Sequence, residues 1–478
     1  MNGRNVIFIV LDSVRKDYFD VYATQIRERS DVSFSNCRAA SSWSVPSHAS
    51  MLTGLLPHQH EFHADSFSNG VTFADLRGET FIDELDGYRT IGLSANPYAN
   101  SSFGFDTLFD EFHDYVSHGS VFPEGLSPYT FDERSSKSGL RRNAALIRAC
   151  LSHRHPARSL LNAIWQGLDV DVSGLPLPGF FDDGARPMSK DAHRLATETD
   201  EPFFLFANLM DGHSPFENSV RYDQSLHSVP NSWSSDSLHN WEINKDNKGT
   251  SEYFRNYRAL YGATIDHMDR HVGQLIDRIQ SGTDRETTVI VTADHGNNLG
   301  YPVEDGLIHH TGSMSEGITH VPLEIVNPPD GYPDTVDDLY SHLSLPALVQ
   351  DIVQERPFDE GACTDEVPAE TIGLSGTGDP RNYRDFEAEE FRYWNRMIRC
   401  VYTGNEKIEW DTVGGGFRYR LDENRPCWQE QLEEGIEGLD DSNHFDVPAE
   451  EYKESVSSET GGQRTEADLD RLRQLGYI

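Results

Sequence analysis

Apolar positions along the chain fall into two kinds of run. One kind is short and continuous: Val6 to Leu11 ("VIFIVL"), then "TIGLSA" (90–95), "PFFLFANL" (202–209), "TTVIVTA" (287–293) and "VPLEIV" (321–326). Such runs predict strands buried on both faces, as in a parallel sheet. The other kind repeats at steps of three and four, most clearly from Tyr253 to Gln280, where Tyr257, Tyr261, Ile265, Met268, Val272 and Leu275 share one stripe. That stripe predicts a long helix packed on the core. Strands alternating with helices predict an α/β fold: a mostly parallel central sheet flanked by helices. In such sheets, sites form at the carboxyl edge of the strands.

Two stretches break the alternation. Residues 115–200 are irregular apart from a helical patch near 138–166, and they predict an insertion over the active-site edge. From about 370, "RMIRCVYTG", "EKIEWDT" and "GFRYRLD" predict short strands split by turns, a small antiparallel sheet. The acidic stretch 429–467 predicts loop or solvated tail. The chain therefore divides into an α/β domain over 1–368 and a C-terminal antiparallel-sheet subdomain over 369–478, the latter with an acidic tail and a terminal helix.

Charge narrows the functional classes. Of the 478 residues, 79 are acidic and 40 basic, a formal charge of -39. That sign argues against nucleic acid as a partner and against attraction to anionic membranes. Only seven of the cations are lysines, and this Lys-poor, acid-rich balance is similar to that of proteins from salt-loving archaea, where high salt screens self-repulsion. With 11% aromatic and 37% apolar residues, the composition is not that of a disordered acidic chain. Five cysteines without CxxC spacing make neither a disulfide framework nor a zinc site. No run reaches the ~18 apolar residues of a membrane helix. The first apolar run begins at Asn5, which leaves no room for a signal peptide. The expectation is a soluble, cytoplasmic protein.

Candidate chemistry sits where the predicted strands end. The first ends in Asp12, and the 287–293 run is followed by Asp294, His295 and Gly296. Two carboxylates and an imidazole at buried strand ends suit a divalent cation. Taken singly, Asp12 reads as the N-cap of a helix over 15–29 and Asp294 as a turn residue. The stretch "SSWSVPSHASMLTG" (41–54) adds a third element. Pro46 and Gly54 bracket a short helix over 46–53, which places Ser44 just before its amino terminus. There the unpaired N–H groups and the dipole favour negative charge, and a hydroxyl loses its proton more readily, above all beside a metal. The alternative is that Ser44 or Ser47 caps the helix.

In combination these segments resemble the sulfatase family of the alkaline phosphatase superfamily, in a haloarchaeal-type member. The family motif of Cys or Ser, any residue, Pro, Ser and Arg, followed by an apolar helix ending in "TG", stands here as "SVPSHASMLTG" from Ser44. "VIFIVLDSVR" (6–15), "GFDTLFDEF" (104–112), "FFLFANLMDGHSPF" (203–216), "VTADHG" (291–296), "THVPLEIV" (319–326) and the final "LDRLRQLGYI" extend the likeness from end to end. The resemblance implies that Asp12, Asp294, His295 and Ser44 hold one divalent cation, calcium first, with manganese, magnesium or zinc as alternatives. It implies Ser44 as nucleophile, His213 against the ester or its leaving group, and His310 as a further catalytic histidine, with His309 competing for that role.

Three positions depart from the family pattern. Ser13 stands where many members carry a second acidic ligand. His48 takes the catalytic position of the motif arginine, which weighs against conversion of residue 44 to formylglycine. Thr311 stands near a lysine that binds sulfate in some members. The expected activity is hydrolysis of sulfate monoesters, on a small anionic molecule or a sulfated glycan. The alternatives are phosphate-ester hydrolysis or phosphoryl transfer through unmodified Ser44, and a metal-poor relative that only binds an anionic sugar.

Overall fold

All five apolar runs form strands, and every residue of Asn5–Leu11, Phe203–Leu209 and Thr287–Thr292 is buried. The computed structural model describes residues 3–68, 70–115, 126, 139–163, 184–238, 240–310, 312–374, 387–422, 424–436, 438–439 and 444–459. Its central sheet has eight strands in the order Thr335–Val336, Val32–Phe34, Leu323–Val326, Thr287–Thr292, Asn5–Leu11, Phe203–Leu209, Arg89–Ser94 and Glu111–Asp114. Neighbours run parallel except at Leu323–Val326, which is antiparallel to both of its partners. The fold is thus α/β with a mostly parallel sheet, as the alternation predicts.

Register decides what meets at the carboxyl edge. Val10 is paired with both Asn208 and Thr292, and Ser94 with Asn208. Two residues further along each strand stand Asp12, Asp294 and Asn96, which the sheet therefore delivers side by side.

Helices flank this sheet. The predicted stripe forms Ser251–Gly282, which packs against Ala185–Glu198 and Thr24–Arg29. Ser44–Thr53 packs with Leu345–Val353, which in turn lies against Asn5–Leu11. The single helix expected over 15–29 is two helices, Lys16–Tyr22 and Thr24–Arg29, broken at Ala23. The break has a long-range cause: the Asp269 carboxylate accepts the N–H groups of Gln25 and Ile26 at 2.9 and 2.8 Å, serving as an external cap for the second helix. The helical patch forms Gly139–Ser152 and Pro156–Asn162. Residues 116–125, 127–138 and 164–183 of the expected insertion lie outside the described residues.

The second sheet is an antiparallel meander of Glu366–Ile372, Met397–Thr403, Glu406–Asp411, Gly416–Leu421 and Gln429–Glu434. Its last strand, and the helix Ala449–Glu459, occupy sequence expected to be loop. Gln429–Glu434 is an edge strand with exposed side chains, so no apolar alternation marks it; backbone pairing and the ion pairs Arg418–Glu433 and Arg420–Glu430 hold it. The terminal "LDRLRQLGYI" lies outside the described residues. Glu366–Ile372 docks on the segment preceding Ser44: the Glu370 N–H donates to the Ala40 carbonyl at 3.0 Å, and Ser41 Oγ donates to the Glu370 carbonyl at 2.8 Å.

Candidate active site at the carboxyl edge

Ser44 is the first residue of a buried helix, Ser44–Thr53, preceded by Trp43 in an extended conformation and ended by Gly54 in the left-handed region at φ 74°. Helix start and serine therefore coincide, one turn earlier than Pro46 suggests, because proline is tolerated throughout a first turn whose N–H groups lack helical partners. Neither serine caps this helix. Ser47 Oγ donates to the Ser41 carbonyl at 3.2 Å, while Ser44 Oγ donates to Asp12 Oδ2 at 3.2 Å and lies 3.4 Å from His295 Nε2. The uncapped N–H groups leave a partial positive charge beside the Ser44 hydroxyl.

Asp12 and Asp294 face each other across this hydroxyl, fully buried with His295. Ligand atoms of Asp12, Asp294 and His295 lie within 4.8 Å of one another. Ser13 braces both carboxylates: its Oγ donates to Asp12 Oδ1 at 2.7 Å and its N–H to Asp294 Oδ1 at 3.1 Å. Asn96 Nδ2 donates to Asp12 Oδ2 at 2.7 Å. Asp294 Oδ2 is buried and accepts no hydrogen bond. The His295 Nδ1–H donates to the Gly296 carbonyl at 2.8 Å, which leaves the Nε2 lone pair toward the serine.

Electrostatics point the same way. Burial and the adjacent Asp294 charge push the Asp12 carboxyl above its ordinary value. Burial lowers His295 to about 4 despite the Asp12 charge, so the ring is neutral, the form that ligates metal. Two paired carboxylates, one orphaned carboxylate oxygen, a neutral imidazole and a hydroxyl fit a divalent cation.

The other expected residues divide. His213 lies in the turn after Phe203–Leu209, and Gly212 permits its approach: a Cβ there would stand 2.5 Å from the Asp12 carbonyl oxygen. The His310 ring is 4.6 Å from that of His295 and 5.7 Å from that of His213, centroid to centroid. His309 is also present, 5.8 Å from His213. Burial, and then the neighbouring histidines, depress His309 to about 3 and His310 well below its usual value. His48 turns into the packing between helix and sheet. Its Nδ1–H donates to the Ser44 carbonyl at 2.7 Å, its Nε2 accepts from Asn208 Nδ2 at 2.6 Å, and Phe105 and Phe206 flank the ring. Thr311 lies outside the described residues.

Asn96 and Asn208 were not foreseen. Both carried a signal: Asn96 follows a predicted strand end, and Asn208 is the one amide in the apolar run "FFLFANL", where a buried polar group needs a partner.

A mostly parallel sheet whose strand ends gather a helix-terminal hydroxyl, two carboxylates and an imidazole defines a member of the alkaline phosphatase superfamily. The Sulfatase family model matches residues 4–353, and the chain belongs to that family. It is 22% identical over 435 residues to the uncharacterized sulfatase YidJ of Escherichia coli (strain K12), covering 85% of this chain and 79% of that protein. Among solved structures it is similar to the phosphonate monoester hydrolase of Agrobacterium radiobacter, with a TM-score of 0.55, 15% identity and coverage of 87% of this chain and 89% of that one. It is also similar to BT4656 in complex with its substrate D-glucosamine-2-N,6-O-disulfate, with a TM-score of 0.54, 14% identity and coverage of 88% and 91%. No helix among the described residues is long and apolar enough to cross a membrane.

Proposed function

We propose that this protein is a metal-dependent hydrolase of sulfate monoesters, acting on a sulfated glycan or a small anionic ester in the cytoplasm of a salt-adapted archaeon. The observation that carries the reading is the position of Ser44 Oγ, 3.2 Å from Asp12 Oδ2 and 3.4 Å from His295 Nε2 at the start of a buried helix. Family membership supports the reaction class, and the sugar disulfate bound by BT4656 supports a glycan substrate. Five free cysteines fit a reducing compartment, and a charge of -39 with seven lysines fits high salt. The same charge leaves nucleic acids and anionic membranes out of the partners proposed.

Asp12, Asp294, His295 and Ser44 would hold one divalent cation; calcium suits the carboxylates, while His295 also suits manganese or zinc. When bound, that ion polarises the ester and lowers the pKa of the Ser44 hydroxyl. The chain's own residues do the rest. Asp12 holds the Ser44 hydroxyl by a hydrogen bond, and the helix amino terminus stabilises negative charge on its oxygen. Ser13 and Asn96 fix the Asp12 carboxylate. His213 and His310 line the flank beside His295, where they serve the departing oxygen.

A specific observation favours a second reading. Sulfuryl transfer to residue 44 needs a route of release, which an aldehyde hydrate provides and a plain serine lacks. His48 is bonded into the helix–sheet packing and supplies no cation at the motif arginine's place. An unmodified Ser44 instead suits phosphate esters, with a second water releasing phosphate. Rates on an aryl sulfate and an aryl phosphate, measured in molar KCl with each metal added to stripped protein, decide between them, alongside peptide mass analysis of residue 44. Faster sulfate turnover with an aldehyde at 44 supports sulfate hydrolysis; phosphate turnover with an intact serine moves the assignment to the second reading. Activity that survives Ser44→Ala removes Ser44 as nucleophile from both.

A further inference from the structure

A second group of imidazoles closes over the same pocket. His213, His309 and His310 each offer a ring nitrogen, and the three nitrogens lie within 4.8 Å of one another. Among the described residues none of the three is paired with a carboxylate. In a regular strand, adjacent residues face opposite ways. His309 departs from that with φ 64°, a left-handed conformation uncommon outside glycine, and the rings of His309 and His310 come to 5.7 Å, centroid to centroid, on one side.

Hydrogen bonds set the ring nitrogens apart. His213 Nδ1 donates to the Ser214 carbonyl at 2.5 Å, which leaves the Nε2 lone pair free. His309 Nε2 is engaged by Ser214 Oγ at 2.7 Å and the Asn240 amide at 2.8 Å, which leaves Nδ1 for the cluster. His310 Nδ1 is buried and has no hydrogen-bond partner. Imidazoles that ligate metals show this pattern, one nitrogen fixed by a backbone or hydroxyl group and the other turned to the ion, and a buried orphan nitrogen is where an ion belongs.

We propose that His213, His309 and His310 form a second cation site, distinct in chemistry from the one at Asp12, Asp294 and His295. Three neutral nitrogen donors select a borderline transition ion such as Zn²⁺ or Co²⁺ and reject Ca²⁺, which requires anionic or carbonyl oxygens. The His310 and His295 rings are in contact, so the two sites would face a shared space able to receive the oxygens of an anionic ester. A cation there provides positive charge at the leaving oxygen, on a flank where no described lysine or arginine is bonded to these residues. For this catalytic role alone the inference rests on the function proposed above; ion binding is independent of it.

The test is metal binding by untagged, chelator-stripped full-length protein in molar KCl, with Co²⁺ or Ca²⁺ as the only added ligand, read by elemental analysis and the visible spectrum of Co²⁺. The expected result is two tight equivalents of Co²⁺, falling to one in both His309→Ala and His310→Ala with loss of the nitrogen-rich visible band. Asp294→Asn should lose the other equivalent and keep that band. Ca²⁺ should bind at one equivalent in the native protein and in His309→Ala, which also reports that the variant folds. A single equivalent of Co²⁺ in the native protein, or two retained in both histidine variants, overturns the site. A second Ca²⁺ lost with His309 overturns the donor-set assignment. Two Co²⁺ bound without turnover of any ester would support the site while counting against the proposed activity.

Discussion

Ser13 Oγ donates a 2.7 Å hydrogen bond to Asp12 Oδ1, while the Ser13 N–H reaches across to Asp294. The residue that replaces an acidic ligand thus works as a brace between the two carboxylates that remain. It does so in a left-handed backbone conformation, at φ 60°. Removing the hydroxyl in Ser13→Ala frees Asp12 to rotate and should weaken cation binding about tenfold, the usual scale for a group that orients a ligand. Ser13→Asp places a third carboxylate beside two buried ones and should have the opposite pair of effects, tighter cation binding and a less stable metal-free protein. Calorimetric titration with Mn²⁺ and urea unfolding of stripped protein check the two signs.

His48 and Asn208 make a second specific prediction. The imidazole is wholly buried and spends both nitrogens, on the Ser44 carbonyl and the Asn208 amide. Asn208→Leu leaves Nε2 without a partner in an apolar setting, a loss on the order of 1–3 kcal/mol. The urea midpoint should fall with an unchanged slope, as for a variant that keeps its native compactness. Because the same ring holds the first turn of the Ser44 helix, kcat should fall while KM changes little.

Much of the active-site edge could be read from sequence because it depends on local signals. Asp12 and Asp294 each terminate a run of apolar residues, and parallel register with Val10 opposite Thr292 turns that coincidence of sequence into proximity. Gly54 marked the end of the serine helix for a similar reason, since its φ of 74° favours glycine. What escaped was set by partners distant in the chain. Nothing near Ala23 announces a helix break whose cause is Asp269, and nothing in 40–42 announces docking against Glu370. The edge strand Gln429–Glu434 escaped for a different reason: nearly all its side chains are exposed, so its composition is that of a solvated loop.

That docking carries a pH dependence. His58 Nδ1 sits 2.7 Å from Glu370 Oε1 and its Nε2 2.8 Å from Asp446 Oδ1, linking the catalytic domain to the small sheet. Burial opposes the charged ring, but the hydrogen bond and charge of Glu370 outweigh it and raise His58 above its ordinary 6.5. Burial likewise works against ionised Glu370, yet the His58 bond, with the charges of His58 and Arg399, holds that carboxyl below its usual range. A raised histidine contributes stability that is fully present below its unfolded-state pKa and is lost as pH rises through the folded one; a lowered carboxyl contributes above its unfolded-state pKa and loses as pH falls through its folded one. Stability from this pair should therefore be greatest between the ordinary carboxylate range and about 6.5, and decline toward alkaline pH. In His58→Gln the decline above neutrality should be smaller than in the native protein, measured as urea midpoints across pH; parallel curves would sink this assignment.

The final prediction concerns salt. At a net charge of -39, with 79 carboxylates against 40 cations, most acidic side chains lack an opposite charge to pair with, and the folded state concentrates them. The Debye length shortens from about 10 Å at 0.1 M to about 3 Å at 1 M, so KCl removes this repulsion over that range and adds little beyond it. The buried pairs Arg15–Glu304 and Arg399–Glu370, each with no exposed side-chain surface, are shielded from the same ions and should not be weakened. The urea midpoint should rise steeply to about 1 M KCl and then level off, since screening saturates. Exclusion of a salt from apolar surface behaves differently, strengthening burial without a plateau. A midpoint that climbs linearly through several molar KCl would therefore assign the effect to exclusion, and one that falls would contradict the salt-adapted reading of the composition.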